Sequence, residues 1–179
     1  YGPSPRQTID LFKPKGGGNG PLALFIHGGY WRSLEPASFS QTARGMNAHG
    51  VTVAVSGYDL SPQVSIGQII EQTQAACLTL WNKLGKRIMV SGHSAGGHLA
   101  ACMIATDWKK LDANAPADLT PVGYAVSGIY DLEPLLHLRG ERAGGGFMAR
   151  PGSYHAPRRY AGPAMALPLR RLGGDLWEI

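Results

Sequence analysis

Between Leu22 and Gly128 short apolar runs alternate with longer segments whose apolar positions recur at helical spacing. "LALFIHGG" (Leu22–Gly29) is a continuous apolar run closed by glycines, the pattern of a strand buried on both faces. "VTVAVSGY" (Val51–Tyr58) repeats it with β-branched residues. "RIMVSGH" (Arg87–His93) and "PVGYAVSG" (Pro121–Gly128) predict two more strands. "RQTIDLF" (Arg6–Phe12) predicts a short strand ahead of them, followed by the Gly/Pro turn "KPKGGGNGP". Pro36–His49 has helix length, with Gly50 placed as a stop. Ser65–Leu84 carries Ile66, Ile69, Ile70, Ala76, Cys77, Leu80, Trp81 and Leu84 at helical spacing, and Gly85 ends it. Ala95–Thr106 predicts a third helix, small and apolar at its start.

Such alternation predicts an α/β fold, a mostly parallel sheet flanked by helices on both faces. Sites in these sheets form outside the carboxyl ends of the strands. Each strand end here carries residues able to do chemistry: "HGGYW", "GYDLSP", "GHSAGG" and "SGIYDLEP".

The pattern stops after Leu138. From Arg139 to Glu178 there is no Val, Ile or Thr, and eight Gly and four Pro punctuate residues 139–179. Two regions are therefore expected, an α/β core over 1–138 and a Gly/Pro/Arg-rich tail over 139–179, irregular or disordered. "ALPLRRL" (Ala166–Leu172) is its nearest approach to a strand. The abrupt change of composition is what an out-of-frame reading of a GC-rich gene gives.

Charge follows the same division. The net charge of +5 suggests nucleic acid until it is localised. Residues 1–138 hold ten Lys and Arg against nine Asp and Glu; residues 139–179 hold seven Arg against three acids. The core thus has no basic stripe, and no nucleic-acid partner is expected. No apolar run approaches the roughly 18–20 residues that span a bilayer, and no secretory leader is seen. Cys77 and Cys102 read as free, buried thiols, which suits a cytoplasmic protein.

Gly92-His93-Ser94-Ala95-Gly96 fits the G-x-S-x-G nucleophile elbow. Such a serine sits on a sharp strand-to-helix turn in a strained backbone, and its neighbours must lack bulk because strand and helix approach closely. The strand predicted before Ser94 and the helix after it supply that context. The alternative is a tight glycine turn whose serine caps the helix. His27-Gly28-Gly29-Tyr30-Trp31 lies upstream after a predicted strand, where an HGGG-type oxyanion loop belongs. Amides of Gly28, Gly29 and Ala95 then form the candidate oxyanion hole. Tyr30 and Trp31 could line a substrate pocket or simply pack the loop, and His27 reads as structural.

Activation of Ser94 needs a base and an acid, and in the fold that carries this type of elbow they follow in the order Ser, Asp or Glu, His. His137 and His155 come late enough, yet neither follows a strand-like run. Asp175 follows "LGG" but has no histidine after it. His98, one helical turn beyond Ser94, reads as a packing residue. Asp131 reads as a loop-ordering carboxylate, with catalytic acid the alternative.

"HGGYW", "GYDLSP", "SGHSAGGHLAA" and "SGIYDLEPLL" together resemble the α/β-hydrolase superfamily. More narrowly, "HGGYW", "YDLEPL" and "YGPSPRQTIDLF" resemble its arylformamidase (kynurenine formamidase) and carboxylesterase branch. The resemblance spans about residues 1–137 and implies a sheet cut short after about the family's sixth strand. It implies Ser94 as nucleophile, an oxyanion hole from Gly28, Gly29 and Ala95, no cofactor and no metal, and hydrolysis of a small ester or N-formyl aryl amide. The family places helical residues before a segment like Tyr1–Phe12, and its acid and histidine on two later strands. Neither extension is recognisable here. A second reading is therefore a catalytically incomplete hydrolase fragment or binding remnant.

Overall fold

In the computed structural model the described residues are 1–132 and 135, together with the backbone of 167–171 and 177–178. Strands β1 (Ile9–Phe12), β2 (Leu22–Ile26), β3 (Thr52–Ser56), β4 (Ile88–His93) and β5 (Val122–Val126) form a sheet in the order β1-β3-β2-β4-β5. β2, β3, β4 and β5 run parallel, and β1 pairs antiparallel to β3. The expected mostly parallel sheet with flanking helices is present.

Every central strand is apolar on both faces, and the two faces bury against different helices. Leu22, Leu24, Ile26, Ala54, Ile88, Val90 and Ala125 face a core shared with α2 (Ile66–Leu84) and α3 (Ala95–Ala105). Val53 and Val55 face the other way, with Phe25, Phe39 and Met46. α2 starts where sequence places it, because Ser65 and Gln68 form a reciprocal capping box. It stops at Gly85, whose φ of 64° lets its amide reach the Trp81 carbonyl.

The single helix expected over Pro36–His49 divides into a 3-10 segment (Pro36–Thr42) and a short α-helix, α1 (Ala43–Ala48). The side chains of Ser40, Gln41 and Thr42 bond the carbonyls three residues before them, at Ala37, Ser38 and Phe39. These local bonds compete with regular helix. A four-residue helix, α4 (Trp108–Leu111), carries no periodic signal; buried Trp108 anchors it by donating from Nε1 to Thr120 Oγ1 at 2.9 Å.

The expectation of an irregular tail over 139–179 differs from the structure at two places. β6 (Leu167–Arg171), inside the "ALPLRRL" stretch, pairs antiparallel to β5. β7 (Trp177–Glu178) pairs antiparallel to β6. The ladder groups of β5 not bonded to β4 would otherwise form an open edge, and any extended segment can pair there whatever its side-chain pattern. His137, His155 and Asp175 lie outside the described residues.

Chain direction reverses around β2. The path runs from β2 to β3 on one side, then returns through α2 to β4 on the other. The crevice at the carboxyl ends of β2 and β4 is the topological switch point, where α/β sheets hold their ligands.

Candidate active site

Two sequence motifs meet at that crevice. β4 ends at His93, Ser94 makes the turn, and α3 begins at Ala95. Ser94 has φ 55° and ψ −117°, a conformation L-residues seldom adopt. Its amide donates to the Val126 carbonyl at 2.8 Å, and its carbonyl accepts from His98 N–H at 3.1 Å. Both ends of the turn are therefore pinned. The side chain is half-buried, while His93 beside it is exposed.

The neighbouring glycines are sterically required. A Cβ on Gly96 would lie 2.0 Å from the Ile26 carbonyl oxygen, and one on Gly92 would lie 2.2 Å from that of Gly96. Helix α3 therefore starts in backbone contact with the end of β2. A Cβ on Gly97 would come within 3.0 Å of Gly128 and Val126 on the β5 side.

Gly28 lies directly against this elbow, and Gly29 follows it in the loop. A Cβ on Gly28 would sit 3.4 Å from Ser94 Cβ. The amides of Gly28 and Gly29 donate to no described residue, and Ala95, as the first residue of α3, has no intrahelical acceptor. The loop holding the glycines is strained, with φ of 100° at Gly29, 58° at Tyr30, 56° at Trp31 and 74° at Leu34. Each non-glycine residue there costs on the order of 1–3 kcal/mol, a cost that persists only where the surroundings enforce the shape. The enforcing bonds are visible. The Gly29 carbonyl accepts from Arg32 N, Ser33 N and Ser33 Oγ, the Trp31 carbonyl from Ser61 N, and the Leu34 carbonyl from Arg6 Nη2.

Trp31 does not line an open pocket. It is fully buried, edge-on to His98 with ring centroids 5.3 Å apart. Its φ is 56°, and its full burial is consistent with the packing reading of the two. Tyr30 is half-buried, tilted against Trp31 at 5.9 Å.

Neither buried histidine near the elbow is placed as its base. His98 is fully buried on α3, its Nε2 3.6 Å from Cys102 Sγ, and burial pushes its pKa down to about 4. His27 is also buried, its Nδ1 2.7 Å from the Gly28 carbonyl, and burial lowers its pKa to about 4. Among the described residues, no histidine ring hydrogen bonds to the Ser94 hydroxyl. Asp131 is exposed. No disulfide joins Cys77 and Cys102; Cys77 is buried, which raises its pKa, whereas Cys102, expected to be buried, is only half-buried. No group of three or more His, Cys, Asp or Glu able to hold a metal occurs among the described residues, and none of their helices is long and apolar enough to cross a membrane.

Sequence reasoning missed Tyr58. It is fully buried just past β3, stacks on His27 at 4.2 Å, and its hydroxyl donates to the His27 carbonyl at 2.8 Å and that of Gly28 at 3.3 Å. The signal was a tyrosine ending a buried strand next to β2. Asp59 follows it and accepts from Ser4 Oγ, from Gln7 Nε2 at 3.0 Å and from Gln72 Nε2 at 3.0 Å.

A family model described as alpha/beta hydrolase fold matches residues 23–150, the span that carries both the glycine loop and the Ser94 turn. The chain belongs to the alpha/beta hydrolase fold family. It is 30% identical over 139 residues to a kynurenine formamidase of Danio rerio, covering 76% of this chain and 46% of that one. It is 29% identical over 111 residues to an isoprenylcysteine alpha-carbonyl methylesterase of Arabidopsis thaliana, covering 58% and 26%. A solved candidate thioesterase from a Silicibacter species is 36% identical and superposes with a TM-score of 0.67, over 75% of this chain and 50% of that one. The chain spans about half or less of the length of these relatives.

Proposed function

We propose that this chain is the nucleophile-bearing part of a serine hydrolase that cleaves small carboxylic esters or N-formyl aryl amides. The observation that carries the reading is the Ser94 turn. A strained serine joins β4 to α3, opposite glycine amides that donate to no described residue. Ser94 Oγ attacks the acyl carbon and yields its proton to a base. The carbonyl electrons move onto oxygen, which the amides of Gly28, Gly29 and Ala95 receive. Collapse expels an alcohol or amine, and water then releases the acid from the acyl-enzyme. The amidase, methylesterase and thioesterase names of the relatives share this acyl chemistry. The lack of a disulfide between Cys77 and Cys102 supports a reducing, cytoplasmic setting.

One observation favours a second reading, in which the chain binds acyl compounds without turning them over. No described histidine ring hydrogen bonds to the Ser94 hydroxyl. Loss of a triad histidine costs about 10⁶ in turnover. Treatment with a fluorophosphonate, followed by peptide mapping, tests the first reading. Ser94 is labelled and Ser94→Ala is not; folded, unlabelled protein refutes it. A p-nitrophenyl acetate assay then separates turnover from binding alone.

A further inference from the structure

The two glycine amides of the oxyanion loop follow carbonyls that are tied down from the opposite side. In a trans peptide the C=O of one residue and the N–H of the next point in opposite directions. Fixing the His27 carbonyl therefore fixes the Gly28 amide, and fixing the Gly28 carbonyl fixes the Gly29 amide. Tyr58 OH holds the first at 2.8 Å. The Nδ1–H of His27 holds the second at 2.7 Å, with Tyr58 OH adding a longer contact at 3.3 Å. The His27 ring is in turn clamped between Tyr58 and Phe39, with centroids at 4.2 and 6.0 Å and both interplanar angles 12°.

We propose that Tyr58 and His27 are positioning residues that aim the Gly28 and Gly29 amides at the substrate oxygen, Tyr58 setting the first and His27 the second. The proposal rests on Ser94 being the nucleophile, because only then do those amides meet a developing oxyanion. A glycine pair alone would not hold them, since glycine backbone turns freely. Tyr58 enters from β3, so a strand that carries no reacting group sets the geometry of a site built by β2 and β4. The neutral imidazole suits this work. Its Nδ1–H is committed to the Gly28 carbonyl, and its buried Nε2 finds no donor among the described residues.

The test uses Tyr58→Phe and His27→Phe, each of which keeps an aromatic ring in the stack and removes one donor. Residual dipolar couplings of the backbone amides, measured on the full chain in a weakly aligning medium, report the two N–H directions. Tyr58→Phe changes the Gly28 coupling most, His27→Phe that of Gly29, and couplings along β2 and α3 stay as in the parent. In parallel, the first-order step of Ser94 phosphonylation by a fluorophosphonate slows at least about tenfold in Tyr58→Phe, while the binding constant for the reagent is unchanged. An oxyanion donor is worth about 10²–10³, so partial misalignment gives a loss of that size. Unchanged glycine couplings in both folded variants overturn the proposal. So do altered couplings with an unaltered phosphonylation rate. If the parent is not labelled, the hydrolase reading fails by itself, and the couplings alone decide whether Tyr58 and His27 hold the amides.

Discussion

A methyl group built on Gly28 would lie 3.4 Å from Cβ of Ser94 and 2.7 Å from the carbonyl oxygen of His93. The second distance is shorter than real Cβ contacts, and the atom it meets is rigid backbone. Gly28→Ala therefore pushes the loop off the elbow, costing about 1–3 kcal/mol of stability as overpacking. Labelling of Ser94 by a fluorophosphonate falls with it. Gly45→Ala is the control. Gly45 lies within α1 and a Cβ there meets nothing within 4 Å. That change gains up to about 1 kcal/mol from helix propensity and leaves labelling intact. Equal melting temperatures for the two variants would contradict the contact.

Ser94 makes the complementary case, because its strain is a property of the residue type. At φ 55° a serine costs on the order of 1–3 kcal/mol that glycine does not. Ser94→Gly should therefore melt about 2–12 °C higher than the parent while losing all labelling. Ser94→Ala keeps a Cβ and the strain, so it loses labelling without the gain. A melting temperature for Ser94→Gly at or below that of Ser94→Ala would show that the turn stores no such energy.

Much of this arrangement is legible in the sequence for a physical reason. Buried parallel strands need apolar residues on both faces, so "LALFI" and "TVAVS" announce themselves, and glycines mark where backbones must touch. Ser94, Gly28, Gly29 and Ala95 follow from strand, turn and helix in series. Tyr58 was hidden because its role depends on contacts with a segment about 30 residues away, and for the same reason no local pattern decides between the two readings of Trp31. The 3-10 turn at Pro36–Thr42 was hidden differently. Its length suits a helix, and only hydroxyl and amide back-bonding decides against one. β6 escaped because antiparallel pairing to the edge of β5 asks little of side-chain pattern.

One carboxylate gathers several of the bonds that hold the N-terminal segment. Asp59 takes hydrogen bonds from Ser4, Gln7 and Gln72, while Arg6 bonds the Tyr58 and Leu34 carbonyls. Asp59→Ala leaves those donors without an acceptor and costs about 1–3 kcal/mol. The segment then detaches more often than the sheet unfolds. Trypsin cleavage after Arg6 should accelerate at least about tenfold, with far-ultraviolet circular dichroism unchanged. Cleavage at the parent rate would mean that Asp59 does not secure the segment.

His27 and His98 give the fold a defined response to acid. Both are buried and neutral, and burial lowers each pKa from 6.5 to about 4. The unfolded chain binds these protons near pH 6.5, whereas the folded chain refuses them until about pH 4. Protonation thus favours the unfolded state, and stability falls progressively as pH drops from 6.5 to 4. Each histidine contributes a loss on the order of 3 kcal/mol across that window. Together they remove a large part of the 5–15 kcal/mol typical of a domain. The surface pair Arg87–Asp118, exposed and 2.8 Å apart, lowers the Asp118 pKa, so its small contribution is lost only as pH falls below the ordinary carboxylate range. Urea unfolding followed by tryptophan fluorescence, at pH steps from 7 to 4, measures the slope. His98→Gln removes one of the two titrating rings and should cut the pH dependence by about half, even though the substitution lowers stability at pH 7. A parent midpoint that stays level from pH 6.5 to 4, or an unchanged slope in His98→Gln, would mean that these rings are not held neutral in the folded protein.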